Sequence, residues 1–398
     1  MSMHTLTKLG AFALLLSIVL MPVDALAARK KGFPVTATAA DVRDAYEDGE
    51  LKVLVVPGHE PNYGGAVFMG VYEREIVVDI ANELARELRK DRNIDEVIVA
   101  RTNTAWHRDI ARYFDRNMRK IERFVENHKE EMQEKLEDKE VKPLGEGSQV
   151  DHAAAPTDVA LRLYGLNKWA NENDIDVILN LHINDSPDHD AMTPGANSGY
   201  AIYVPDPQFG NGKASRPIAE AIAERLNDYS ATSTLRIENQ GIAEDQTLIA
   251  VGANNTLEVP TMLIEYGYIT ESKMLAPALR KTLTADYAYQ TYLGLTDFLN
   301  NRKPSGLSTK VLPYTWDEMP LIGSTSVDTY ALQVALRNTG HYPPAESSLV
   351  PCPINGVMNE CTMVAIRSFQ ADEGLPETGI LDARTRQALN DLPQLAGR

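Results

Sequence analysis

The 398-residue chain contains only two cysteines, Cys352 and Cys361. Two thiols cannot build a disulfide-rich scaffold or a four-cysteine zinc site, so any metal must be held by histidine and carboxylate. Positive charge is also scarce: 39 Lys and Arg face 56 Asp and Glu, a formal charge of -17. No broad positive field is available to attract a phosphate backbone, which argues against a nucleic-acid partner. Long apolar runs are missing as well. Beyond the N-terminus no stretch reaches about 18 consecutive apolar residues, so no membrane span is expected in the mature chain. The Gly-x-Ser-x-Gly elbow of serine hydrolases and the His-Glu-x-x-His zinc helix are both absent. Paired carboxylates of the glycosidase kind carry no information in a chain this rich in acid.

What is present begins with an address. Lys8, an apolar run over 9–21, Pro22 and the small-residue triplet Ala25-Leu26-Ala27 have the layout of a secretory signal peptide cleaved after Ala27. Residues 1–27 carry one base and one acid, so the mature chain keeps its charge of -17. Export places the protein in a secreted, periplasmic or cell-wall-associated compartment. In an oxidising compartment Cys352 and Cys361 could close a small loop worth about 2 to 3 kcal/mol. Two free buried thiols are the alternative.

With 43% hydrophobic and 24% charged residues, the chain can bury a sizeable core. After a lead over 28–50, residues 51–301 alternate short β-branched runs with longer helical stretches. This pattern predicts an α/β domain with a twisted, largely parallel sheet flanked by helices. Candidate strands are 52–56, 96–101, 176–181, 200–204 and 261–265; candidate helices are 73–90, 157–173, 214–229 and 275–299. The segment from about 105 to 150 is dense in both charge signs, with Ile110, Phe114, Ile121, Val125 and Met132 at helical spacing. It reads as a helical insertion of one long or two shorter helices. Prolines and glycines over 302–326 mark a linker. Residues 327–393 then read as a three-helix domain with helices at 329–339, 361–373 and 383–389.

Three polar residues stand where a parallel sheet would expose them. His59 follows the first strand, His182 ends the run Leu179-Asn180-Leu181, and Glu265 ends Thr261-Met262-Leu263-Ile264. Ligands of open α/β sheets bind at the carboxyl ends of strands, so these three can converge. Glu73 opens the helix that returns over the sheet from that same edge. Two imidazoles and one carboxylate make an open zinc site, with a free carboxylate beside it for proton transfer. Each residue also has a plainer explanation. A lone histidine after a strand is commonly a hydrogen-bonded core or surface residue, and Glu73 suits a helix N-terminus. Glu265 is harder to explain away, because an unpaired charge in a central strand costs several kcal/mol.

The blocks Val55-Val56-Pro57-Gly58-His59, Gly64-Gly65-Ala66, Tyr72-Glu73-Arg74-Glu75, Asn180-Leu181-His182-Ile183-Asn184 and 260–268 together resemble the zinc-dependent N-acetylmuramoyl-L-alanine amidases of bacterial cell walls. The resemblance covers roughly 51–299. It implies that His59, Glu73 and His182 hold Zn2+ and that Glu265 is the catalytic carboxylate. The implied reaction cuts the amide between N-acetylmuramic acid and the L-alanine of the stem peptide. The family usually has Asp before Pro-Gly-His and Gly after it, where this chain has Val56 and Glu60. It usually has Ser and Ala around the second histidine, where Asn180 and Ile183 stand, and Thr and Phe where Tyr266 and Tyr268 stand.

Residues 328–390 resemble the three-helix peptidoglycan-binding domain through Leu332-Gln333, Gly340-His341-Tyr342, Ile354-Asn355-Gly356-Val357, Phe369-Gln370 and Thr378-Gly379. Peptidoglycan is thus the implied partner. Some relatives of the amidase family carry a helix in a comparable place that covers the zinc until a partner withdraws it. By that likeness, His107, Glu122, Glu126 or His128 of the insertion would touch the metal and an activator protein acting on the insertion would be a second partner. The alternative is a solvated arm packing its apolar face on the domain. Two other functions are weighed against the amidase: a zinc peptidase acting within the stem peptide, and a catalytically silent wall-binding regulator.

Overall fold

A computed structural model describes residues 37–393, apart from 146, 151, 153, 187, 305, 309 and 346–351. The expected signal peptide, 1–27, and the first part of the lead lie outside the described residues. In chain order the elements are α1 (Ala39–Glu47), β1 (Leu51–Pro57), β2 (Val67–Phe68), β3 (Val71–Tyr72), α2 (Glu73–Leu88), β4 (Ile94–Val99), α3 (Arg108–Glu137), α4 (Thr157–Glu172) and β5 (Val177–Asn184). They continue with β6 (Ala201–Pro205), α5 (Gly212–Tyr229), β7 (Ile242–Asp245), β8 (Thr261–Tyr268), α6 (Ser272–Leu275), α7 (Pro277–Leu299), α8 (Val327–Asn338), α9 (Glu360–Asp372) and α10 (Ala383–Asn390).

The main sheet runs in the order β4-β1-β5-β8-β6-β7. Neighbours are parallel except β6 against β8, so the sheet is largely parallel, as its apolar strands imply. Val53, Val55, Leu179, Leu181 and Ile264 face a core shared with α2, α5 and α7. Leu54, Val56, Ile98 and Ile178 face the other side, under α4 and α3. The buried stripe Ile76, Val77, Ile80, Ala81, Leu84 and Leu88 holds α2 to the sheet. One strand of this sheet was not expected: β7 is four residues, Ile-Ala-Glu-Asp, too short and too acidic to show a period.

The insertion is a single 30-residue helix, α3. Ile110, Phe114, Ile121 and Val125 are buried on its inner side. Gly165 of α4 admits this approach: a Cβ there would stand 2.9 Å from Ile121 Cδ1 and Phe114 Cε1. The polar face of α3 is left to solvent.

Each C-terminal helix starts on a side-chain cap, from Ser326, Asn359 and Asp382. Cys352 and Cys361 are joined in a disulfide. Within 302–326, Leu312, Tyr314 and Trp316 are buried. The domain is tied down beyond them: Tyr330 Oη donates to the Tyr229 carbonyl at 3.0 Å, and Arg337 Nε to the Asn227 carbonyl at 2.8 Å.

Candidate active site

β5 lies between β1 and β8, so the three strands that carry His59, His182 and Glu265 end side by side. His182 and Glu265 are register partners across β5 and β8. The chain leaves β1 at Gly58, whose N–H donates to the Leu181 carbonyl at 2.9 Å. His59 then adopts a left-handed φ of 68°, a conformation uncommon for a residue with a side chain. The hairpin β2–β3 returns the chain so that α2 begins at Glu73, at the same sheet edge.

The structure brings His59, Glu73 and His182 together, with one ligating atom from each within 4.8 Å of the others. Glu73 is the hub and is only 3% exposed. Its Oε1 lies 3.0 Å from His182 Nδ1 and accepts from the Ile183 N–H at 3.1 Å. Its Oε2 accepts from the Ala66 N–H at 2.8 Å. His59 Nε2 stands 2.8 Å from that oxygen but is out of line for a hydrogen bond, and it has no other partner. Such a buried, orphaned imidazole nitrogen is what a metal would satisfy. Burial alone would push the Glu73 carboxyl up, yet the facing His59 and His182 outweigh it and hold it well below the usual carboxylate range. Burial lowers the His182 imidazole, favouring the neutral form that ligates. The donor set and its geometry therefore fit a divalent cation.

Glycine makes this packing possible. A Cβ on Gly65 would sit 2.9 Å from His59 Cδ2 and 3.2 Å from Glu73 Oε2, and one on Gly58 would enter the His182 ring.

Glu265 lies beside the cluster with its Oε2 shut off from solvent and unpartnered. Burial, then the charges of Glu73, Glu238 and Asp185, push its carboxyl well up. A carboxyl in that state is suited to hold and return a proton. Of the insertion residues His107, Glu122, Glu126 and His128, none joins the metal cluster among the described residues. His128 instead sets its ring edge on Phe124, 4.4 Å between centroids. The expectation that one of the four touches the metal is corrected: their helix is held against α4.

Two residues of the site escaped the sequence reading. Arg101, 1% exposed, reaches beneath it from the end of β4. Its Nε donates to the Pro57 carbonyl at 3.1 Å, and its Nη2 donates to the carbonyls of Gly58 and, at 3.2 Å, Arg74. One guanidinium thus clamps the loop that bears His59 to the helix that bears Glu73. Burial lowers it to about 10, so it stays charged at neutral pH. A charge closing the strand 96–101 was its signal in the sequence, of the same kind as Glu265. Glu238, in the irregular stretch before β7, accepts from Tyr203, from Tyr268 at 2.7 Å and from Asn184 at 2.9 Å. No period pointed to it.

The family departures fall into place here. Asn180 donates to the carbonyls of Ala250 and Met262 and ties strands together, while Tyr266 bonds Thr291 in the core behind the sheet. Tyr268 donates its hydroxyl to Glu238, one of the charges that raise Glu265.

Residues 53–297 match the N-acetylmuramoyl-L-alanine amidase family, and residues 325–389 match the peptidoglycan binding domain. The first match takes in more than half of the chain, and the protein belongs to the N-acetylmuramoyl-L-alanine amidase family. It is a peptidoglycan amidase with a peptidoglycan-binding domain at its C-terminal side. Similar solved structures include an N-acetylmuramyl-L-alanine amidase from Mycobacterium smegmatis, at 15% identity over 63% of this chain and 98% of that one, TM-score 0.40. The CwlD amidase from Clostridioides difficile, in complex with the GerS lipoprotein, is 14% identical over 63% of this chain and 99% of that one, TM-score 0.41. No curated protein sequence matches the chain.

Proposed function

We propose that the protein is an exported zinc hydrolase that cleaves the amide between N-acetylmuramic acid and L-alanine, with His59, Glu73 and His182 as metal ligands and Glu265 as the catalytic carboxylate. The observation that carries this is the convergence of three donor atoms, one an orphaned imidazole nitrogen, next to a buried carboxyl oxygen with no partner. Bound zinc supplies Lewis acidity toward an amide carbonyl and toward water.

The chain's own residues do the rest. Glu73 brings the negative charge that a dication needs, and its two backbone donors fix both oxygens in place. Glu265 takes a proton from the attacking water and returns it to the departing alanine nitrogen. Arg101 holds the carbonyls around His59 and Glu73, so the ligands need not reorganise. The described residues contain no helix long and apolar enough to cross a membrane. In this reading residues 1–27 direct export, and residues 327–393 anchor the enzyme to the wall. The apolar face of α3 is taken up by α4, so an activator protein would have to work through its polar face.

Mass analysis of wall digests tests the reaction. Free lactyl ends with intact stem peptides support it; shortened peptides support a stem-peptide peptidase instead. Glu265→Ala should keep zinc and lose hydrolysis, and equal activity in that variant removes the mechanism.

A further inference from the structure

A departure from the family pattern and the helical insertion meet in one place. Glu60 stands directly after His59 where the family usually has glycine, and α3 is the insertion. Between them opens a cleft of about 560 Å3 lined by Glu60, Tyr63, Trp106, Phe114, Asp115 and Met118. Arg162 of α4 also reaches it.

The charges in this cleft are largely spent. Arg162 Nε donates to Glu60 Oε1 at 2.6 Å and its Nη2 to Asp158 Oδ2 at 2.7 Å. Trp106 Nε1 donates to the other Glu60 oxygen at 3.1 Å. Glu60 is therefore a locked, neutralised strut that fixes Trp106 and α4 beside the His59 loop. Asp115 is exposed on α3 and has no partner among the described residues. What remains is a cleft starting one residue from His59, aromatic and apolar along Tyr63, Trp106, Phe114 and Met118, polar at Asn62 and Thr104, with one free carboxylate.

That chemistry suits an aliphatic arm ending in an amine. Its methylenes would lie along Phe114, Met118 and Tyr63, and its ammonium would meet Asp115. We infer that the cleft is a specificity subsite for the stem peptide, taking the side chain of a diamino-acid residue, and that α3 supplies its outer wall. This rests on the proposed amide cleavage, which places a peptide next to His59. The role of α3 is then to recognise substrate.

Binding is measured apart from turnover, on full-length Glu265→Ala protein loaded with zinc. The probes are a soluble muramoyl peptide with a free side-chain amine and the same compound with that amine acetylated. Acetylation should weaken binding about threefold, the scale of one solvent-exposed ion pair. In the Asp115→Asn, Glu265→Ala double variant the two probes should bind alike, at the level of the acetylated one. Equal affinity of both probes for the parent overturns the subsite, and so does a preference that survives Asp115→Asn. Digesting both probes with the native enzyme keeps the readings separate: loss of the amide cut counts against the reaction, while loss of the binding contrast counts against the cleft.

Discussion

Gly58→Ala is the sharpest structural test of the site, because the position needs no unusual backbone and only the added methyl acts. Gly58 does not have a left-handed φ, so alanine is tolerated by the chain itself. Its Cβ, however, would stand 2.7 Å from His182 Nδ1 and nearer still to Cε1 and Nε2. Carbon contacts settle at about 3.5 to 4.0 Å, so the ring must retreat by roughly 1 Å. That retreat breaks the 3.0 Å contact with Glu73 and exceeds the tolerance of about 0.2 Å on a metal bond. A displacement of about 1 Å costs on the order of 100-fold in rate. We expect kcat on purified peptidoglycan to fall at least that far and the zinc content of dialysed protein to drop. Gly49→Ala is the control: φ is +74° and nothing lies within 4 Å, so it should cost about 1 kcal/mol of stability and leave activity alone. Full zinc content with native kcat in Gly58→Ala would refute the steric argument.

Arg101→Ala leaves the carbonyls of Pro57, Gly58 and Arg74 without their donor, each costing about 1 to 3 kcal/mol if it stays dry, and denaturant unfolding should show a loss of several kcal/mol. Asp286 is fully buried in α7 and burial raises its carboxyl to about 7. Its folded value exceeds the unfolded one near 4, so stability is complete below pH 4 and is lost as pH rises to 7; Asp286→Asn should recover about 4 kcal/mol at pH 8 and flatten that slope in thermal melts. Reducing the Cys352–Cys361 bond, which closes a short loop, should lower the stability of the C-terminal helices by roughly 2 to 3 kcal/mol, read by chemical denaturation with and without reductant. Chelation should abolish wall hydrolysis and added zinc should restore it; activity that survives exhaustive chelation would exclude the metal.

Much of the architecture was legible because burial imposes period. The buried stripe of α2 and the apolar runs of β1, β5 and β8 state their own structure, and His59, His182 and Glu265 could be placed at one edge because parallel strands end together. Glu73 was legible as the start of a helix at that edge, and the family resemblance named it a ligand; its seat between two imidazoles depends on the β2–β3 hairpin, whose two-residue strands leave no pattern. Arg101 and Glu238 act through backbone carbonyls and tyrosine hydroxyls, contacts made by the fold between segments far apart in sequence. For α3 the apolar face was visible but its partner was not. Gly165 of α4, which lets that face dock, looks in the sequence like an ordinary helix interruption.

The central claim is that zinc sits among His59, Glu73 and His182 with Glu265 free beside it. Crystals of the full-length enzyme measured at the zinc absorption edge test this directly. The account predicts one anomalous peak bonded at about 2.0 to 2.2 Å to those three side chains, with no bond to Glu265. A peak ligated by Glu265, or a metal bound elsewhere with His59 Nε2 still unpartnered, would contradict it.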